Sequence, residues 1–352
     1  MAIDQEKLEE FLHKQVGDIG AAMSGALVAI GEKLGLYKDL ADNGPATPEE
    51  LAKRTGTAER YIREWSASQA AGGYITYEAS SGRYSLSEEQ AFCLADENSP
   101  VYLAGAYEVV LAAQKALPRA LENFRTGAGM HWGEHDPMLF EGVANFFRPG
   151  YAANLVSSWI PALDGVEEKL QRGAKVADVG CGFGVSTILM AQAYPNSTFV
   201  GFDYHGPSME IATERATGAE VADRVTFEVA KSTDYPGTGY DFVTFFDCFH
   251  DMEDPTGAAR HVLATLDDDG CWMLVEPFAN DSVEENLNPV GRLFYAASTL
   301  ICVPNSLAGN GPGLGAQAGE ARLREIIVDR GGFTRFRRAT ETPFNLILEA
   351  RP

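Results

Sequence analysis

The chain is short of positive charge. Its 352 residues hold 28 Lys and Arg against 50 Asp and Glu, a formal net charge of −22. A surface that acidic repels phosphate backbones and anionic bilayers, so neither nucleic acid nor membrane is an expected partner. Long apolar runs are missing too: no stretch approaches the ~20 residues a membrane helix needs. The opening MAIDQEKLEEFLHK lacks the basic-then-apolar order of a secretion signal, which predicts a cytoplasmic location. Cysteine is sparse: Cys93, Cys181, Cys248, Cys271 and Cys302 are odd in number, scattered, and form no Cys-x-x-Cys pair. Neither a zinc site nor a disulfide framework is expected, only reduced and mostly buried thiols. No internal repeat or low-complexity tract appears. What is present, 45% apolar residues over a length suited to two or three domains, supports a sizeable core.

Three regions differ in pattern. Residues 1–100 read as helices and one hairpin. Leu8, Phe11, Leu12 and Val16 recur at helical spacing, and a second apolar helix is expected over roughly Ala22 to Leu40. Thr47-Pro48-Glu49-Glu50 is a capping box with proline at the first helical position, and Thr57 is expected to open the next helix, reaching about Ala71. Gly72-Gly73 breaks it, and Tyr74–Tyr77 and Arg83–Leu86 flank the turn Ser80-Ser81-Gly82 as two strands. Helix, helix-turn-helix, hairpin is the order of a winged helix. Nine Lys/Arg stand against seventeen Asp/Glu in this region, and Glu59, Arg60, Arg63 and Glu64 cancel on the presumed recognition helix. DNA binding draws its affinity from neutralising phosphates, so a dimerisation platform is the better use. Residues 101–170 read as a helical connector and lid. They carry the polar–aromatic loop GMHWGEHDP (129–137), expected to cover a substrate, since His131-x-x-x-His135 beside Gly and Pro does not suit a helical zinc motif. Arg148 and Tyr151 lie either toward a ligand or on an exposed helix face.

Residues 171–352 alternate strands and helices, the signature of an open α/β sheet. Strands are expected at Lys175–Val179, Thr198–Phe202, Val225–Val229, Phe242–Phe246, Cys271–Val275, Thr334–Arg338 and Asn345–Leu348, the last two pairing antiparallel at the edge. The first strand runs into Gly180-Cys181-Gly182-Phe183-Gly184, and in such a sheet this turn is the ligand crevice. Dinucleotide enzymes space their glycines G-x-G-x-x-G and set a pyrophosphate on the helix N-terminus. Here the spacing is G-x-G-x-G and Asp178 precedes it, which disfavours a nicotinamide-dependent dehydrogenase. A carboxylate there suits a cation, and S-adenosyl-L-methionine carries a sulfonium and an ammonium but no phosphate. Asp203 ends the next strand 21 positions beyond Gly182, where an acid accepts ribose hydroxyls; taken alone it would read as a helix cap.

DVGCGFG followed by FVGFD resembles the class I S-adenosylmethionine-dependent methyltransferases over roughly residues 145–352. The whole chain resembles an actinobacterial two-domain group and the layout of small-molecule O-methyltransferases, in which a winged helix dimerises. The resemblance implies a seven-stranded Rossmann-like sheet with an antiparallel last strand. It implies that Gly180, Cys181, Gly182 and Gly184 line the cofactor, that Asp178 orients the loop or the cofactor ammonium, that Asp203 holds the ribose, and that Tyr204 lies against the adenine. Lys231 and Ser232 stand where the family often has an acid near the adenine amino group. The fourth strand ends Phe246-Asp247-Cys248-Phe249-His250-Asp251-Met252. Phe246 and Asp247 fall at the crevice, Asp247 toward cofactor or substrate. By the same resemblance His250 is the general base, Asp251 its neighbour in the His-Asp element, and Glu276 the acid that orients it, with Met252 in place of a tryptophan. The plain alternative is a loop histidine bonded to backbone. The apolar insert Asn286–Gly319 suits the mouth of a pocket, a dimer contact or plain core. The expectation is a dimeric methyltransferase acting at a hydroxyl of a small, largely apolar acceptor; the competing one is a cofactor-sensing winged-helix transcriptional regulator without turnover.

Overall fold

Glycine does not stop the first helix. In the computed structural model, which describes residues 3–352, α1 (Gln5–Lys33) runs unbroken through Gly17 and Gly20. The two expected helices are therefore one long helix, ended at Leu34-Gly35, with α2 (Leu36–Asn43) after it. Gly35 takes φ 65°, a left-handed turn that most other residues would strain to adopt. α3 (Pro48–Thr55) begins at the expected capping box, with both reciprocal bonds of Thr47 and Glu50 formed. α4 (Glu59–Ala71) starts two residues later than expected. Thr57 does not cap it; its hydroxyl lies 2.9 Å from that of Thr55 instead. β1 (Thr76–Glu78) and β2 (Arg83–Ser85) complete the wing.

The chain divides into two compact units: the described residues up to Leu111 with Glu141–Pro149, and Ala112–Phe140 with Gly150–Pro352. The 101–170 stretch is thus shared between them. In the first unit Val28, Leu36, Tyr37, Leu51, Ile62 and Trp65 form the core. The polar tips of two core aromatics are satisfied: Tyr37 Oη donates to Gln69 Oε1 at 2.6 Å and Trp65 Nε1 to the Leu27 carbonyl at 2.8 Å. The other face of α1 has no cover within its unit. Leu8, Phe11, Leu12, Val16, Ile19 and Met23 are 46–74% exposed.

The second unit is built on a seven-stranded sheet: β3 (Lys175–Val179), β4 (Thr198–Asp203), β5 (Val225–Val229), β6 (Tyr240–Phe246), β7 (Leu266–Pro277), β8 (Arg335–Glu341) and β9 (Asn345–Arg351). Their order is β5-β4-β3-β6-β7-β9-β8, with β9 antiparallel to both of its neighbours. All seven expected strands are present, and the longest extension beyond the sequence reading is at β7, with β8 and β9 running on equally past their expected ends. Buried on both faces, β3 and β6 read as near-continuous apolar runs, as parallel strands do. Val243, Phe245 and Trp272 pack with Ala258 and Val262 of helix Pro255–Thr265 and with Ile326, Ile327 and Phe333. Strand order reverses at β3, flanked by β4 on one side and β6 on the other. That reversal opens a crevice at the carboxyl ends of the strands. No single described helix is long and apolar enough to cross a membrane.

Candidate active site

The crevice is built from four strand ends. At β3, Asp178 is buried, and its carboxylate accepts three hydroxyls: Ser186 Oγ at 2.7 Å, Thr187 Oγ1 at 2.5 Å and Thr244 Oγ1 at 2.9 Å. Burial raises its pKa, and the hydroxyls work against that rise. The carboxylate therefore ties helix Val185–Ala193 and β6 to the start of the glycine loop. Its oxygens are spoken for by protein, so its structural part is to shape the loop. Gly180 and Gly184 take φ 74° and 75°. A Cβ on Gly180 would lie 2.6 Å from Cys248 Sγ and one on Gly184 2.6 Å from Phe227 Cζ, so only glycine fits either place. Gly182 faces open space. Cys181 is buried among Met209, Ala212 and Phe227.

At the end of β4, Asp203 Oδ2 accepts the Gly182 amide at 3.0 Å and Oδ1 the His205 amide at 2.9 Å. Burial raises its pKa too, and these amides counter it. Tyr204 projects outward, 46% exposed, with its hydroxyl 3.3 Å from Asn305 Oδ1. Lys231 lies on the surface, in an ion pair with Glu253 at 2.7 Å, and Ser232 sits half-buried in the turn after β5. Of the expected adenine contacts, these three are peripheral to the buried group.

At the end of β6, Phe246 is buried with its ring 5.1 Å from that of Tyr151. Asp247 holds φ 50°, rare for a residue other than glycine. Its carboxyl accepts Tyr151 Oη at 2.6 Å and Asn345 Nδ2 at 2.9 Å. Burial pushes its pKa up to about 8, with Tyr151 opposing. Tyr151 thus belongs to Asp247, while Arg148 has its nearest carboxylate, Glu97, at 4.0 Å.

The next turn, Phe249–Asp251, carries the histidine. His250 Nδ1 lies 2.8 Å from Glu276 Oε2, and Glu276 Oε1 accepts the Phe249 amide at 3.0 Å. Both side chains are at least 96% buried. A backbone-bonded loop histidine is not what the structure shows. Burial pulls the His250 pKa down, but Glu276, then Cys302, outweigh it, and the imidazole ends well above its ordinary value. Asp251 does not reach the imidazole by hydrogen bond. It accepts Trp132 Nε1 at 2.6 Å, and burial raises its pKa to about 6.

Trp132 belongs to the 129–137 loop, whose attachment the sequence did not reveal. Its amide also donates to Asn305 Oδ1 at 3.1 Å, and Asn305 Nδ2 reaches the Asp251 carbonyl at 3.0 Å. Phe140, just beyond the loop, stacks on His205 at 4.5 Å and on Phe183 of the glycine loop at 6.2 Å. The loop is therefore pinned to the residues that flank both Asp203 and His250. Asn305, Asn345 and Cys302 had no local signal; strand crossover and the insert bring them in.

Comparison with known proteins follows the same division. Residues 22–96 match the Rv2258c-like winged HTH domain family and residues 151–308 a methyltransferase domain family. Over 140 residues, 37% of the chain, the sequence is 35% identical to 27-O-demethylrifamycin SV methyltransferase of Amycolatopsis mediterranei, covering 51% of that protein. It is 33% identical to the ubiquinone biosynthesis O-methyltransferase of Bordetella avium over 153 residues, 42% of the chain and 56% of that protein. The chain spans about half the length of these curated relatives. Its fold is that of the mitomycin 7-O-methyltransferase MmcR (TM-score 0.72, 18% identity, 99% of this chain and 100% of that one). It is likewise that of human N-acetylserotonin methyltransferase, solved with SAM (TM-score 0.71, 15% identity, 100% and 99%). The chain thus matches a winged helix-turn-helix domain family and then a methyltransferase domain family, and its fold is that of the two solved methyltransferases.

Proposed function

We propose that this two-domain methyltransferase-fold chain transfers a methyl group from S-adenosyl-L-methionine to a hydroxyl of a small, largely apolar acceptor. The observation that carries the reading is the pairing of a buried histidine with a buried carboxylate at the ends of adjacent strands, beside a glycine loop held by Asp203.

The crevice fits the cofactor. Gly182 leaves open space, and the charged side chain that hydrogen-bonds its amide is a carboxylate, which suits ribose hydroxyls and cationic groups better than a pyrophosphate. Asp203 would hold the ribose, and Gly180, Cys181, Gly182 and Gly184 would line the methionine end, with Asp178 shaping the loop. When bound, the cofactor supplies an already reactive methyl sulfonium, so positioning provides much of the acceleration. The chain's own task is the acceptor proton. His250 Nε2 would take it, with Nδ1 held by Glu276 in the tautomer that leaves Nε2 basic. Glu276 then stabilises the imidazolium in a site from which water is largely excluded. Trp132 and Asp251 fix the 129–137 loop over this end of the crevice.

The winged helix is proposed to pair two copies of the chain. Its presumed DNA-reading arginines are neutralised locally, Arg60 by Glu64 at 2.7 Å and Arg63 by Glu59 at 2.6 Å, which leaves little for phosphate. A screen of metabolite extracts with labelled cofactor, read by mass spectrometry, tests the activity and identifies the acceptor. Label transfer that His250→Ala reduces by about 10²-fold or more supports the reading. Transfer that is unchanged in that variant overturns the base assignment.

A further inference from the structure

The proton-accepting side of His250 is already in contact with the protein. Nε2 lies 3.3 Å from Cys302 Sγ, while Nδ1 faces Glu276 at 2.8 Å. Thiol, imidazole and carboxylate stand in line, and the Phe249 amide fixes the carboxylate. Cys302 closes the π-helical turn Ser298–Cys302, between helices Pro289–Ala297 and Val303–Ala308. Such turns re-aim side chains and cluster at functional sites. The insert that the sequence left open between pocket, interface and core thus delivers a nucleophile to the base.

We propose that Cys302, His250 and Glu276 form a base-activated thiol that adds to activated alkenes, the α,β-unsaturated carbonyl class. The order of roles is that of any paired nucleophile: sulfur, a base within reach, and a third group that orients the base. In the addition, Nε2 takes the thiol proton as the S–C bond forms to the β-carbon. The alkene π pair moves toward the carbonyl, and the α-carbon receives the proton back from the imidazolium. Sulfur and hydrogen add across the double bond, and no oxidant or further reactant is consumed. The adduct is carried on Cys302 Sγ, 3.3 Å from Nε2, so it also closes the site to a hydroxyl acceptor. The proposal rests on the three side chains and not on the methyl-transfer reading, although it shares His250 with it.

Burial raises the Cys302 pKa, and Asp251 and Glu276 add to the rise, while His250 works the other way, so activation depends on the imidazole contact. The acidic groups around the imidazole are Glu276 at the end of β7, Asp251 on its own turn, and Asp247 at its own strand end; Glu276 and Asp251 favour the imidazolium, while Asp247, with its pKa pushed up to about 8, is largely neutral at pH 7. Cys271, buried in β7, donates its thiol to Glu349 Oε1 at 3.8 Å and has no imidazole partner among the described residues, so it serves as the internal control.

The test is alkylation of the full-length native protein with N-ethylmaleimide, followed peptide by peptide by mass spectrometry, with no cofactor or acceptor present. Cys302 is expected to react about 10²-fold faster at neutral pH in the wild type than in His250→Gln. In strongly alkaline buffer, where the thiolate forms unaided, the two are expected to converge. Glu276→Gln is expected to fall between them, and half-exposed Cys93 to react equally in all three, which reports that the variants remain folded. Equal Cys302 rates in wild type and both variants across the pH range overturn the proposal. So does a native Cys302 that reacts no faster than Cys271. Calorimetry with adenosylhomocysteine reports separately on the methyl-transfer reading, so each fails on its own evidence.

Discussion

Glu276 ends β7 and His250 follows the end of the neighbouring β6, and their side chains meet at 2.8 Å with almost no solvent contact. Parallel strand pairing creates this meeting: Phe246 is in register with Val275, so Glu276, the next residue of β7, and the turn that follows β6 converge on the same rim. The carboxylate gains a further bond from the Phe249 amide, which fixes where it points.

That relationship sets a titration. Burial alone would depress the imidazole, so its raised pKa depends on the neighbouring carboxylate. In the wild type, His250 is expected to lose its proton on the alkaline side of the ordinary histidine value of 6.5. Glu276→Gln removes the charge and leaves the burial, so the pKa is expected to move down. NMR titration of the His250 ring in the two proteins checks this without any acceptor. An unchanged midpoint would mean the pair does not control the base.

Asp247 gives a prediction for stability. Its folded pKa of about 8 lies above its ordinary 3.8, chiefly through burial, so the folded state binds the proton more tightly than the unfolded chain. Stability is then lost as pH rises from the unfolded value through the folded one. Asp247→Asn has no such loss, and asparagine tolerates φ 50° better than most residues. Its thermal midpoint is expected to equal or exceed that of the wild type at pH 8 and to gain on it steadily from acid pH. Asp247→Ala is expected to cost about 2–4 kcal/mol, because Tyr151 and Asn345 lose their acceptor at a strained position. Denaturation curves at several pH values read both.

The exposed face of α1 tests the dimer. Leu8, Leu12, Val16, Ile19 and Met23 follow one another at steps of four or three, an unbroken apolar stripe. Leu12→Glu with Val16→Glu places charge in that stripe at two exposed positions. Light scattering is expected to show a dimer for the wild type and a monomer for the double variant, with unfolding otherwise similar. Identical masses would remove α1 from the interface.

Much of this site was legible in sequence because local rules govern it. The glycine loop, the acid 21 residues beyond Gly182 and the Asp254 cap before helix Pro255–Thr265 each announce themselves within a few residues. The central strands β3, β4, β6 and β7 were visible as short apolar runs between breakers, whereas β8 is largely charged and stands out only by its place before β9. What stayed hidden is non-local. Asn345 reaches Asp247 only because β9 inserts between β7 and β8, and Trp132 reaches Asp251 across 119 residues of sequence. Cys302 depends on a π-helical turn that no residue pattern marks. Two helices were expected where α1 runs unbroken through Gly17 and Gly20, since a glycine costs a helix only about 1 kcal/mol.

The central claim is that an acid-lined crevice without a phosphate cradle takes a sulfonium nucleoside. Titration calorimetry of the purified chain with adenosylhomocysteine and, separately, with NADH decides it. The account predicts saturable heat from adenosylhomocysteine, weakened about 10- to 100-fold by Asp203→Asn, and none from NADH. Saturable binding of NADH beside silence from adenosylhomocysteine would contradict it.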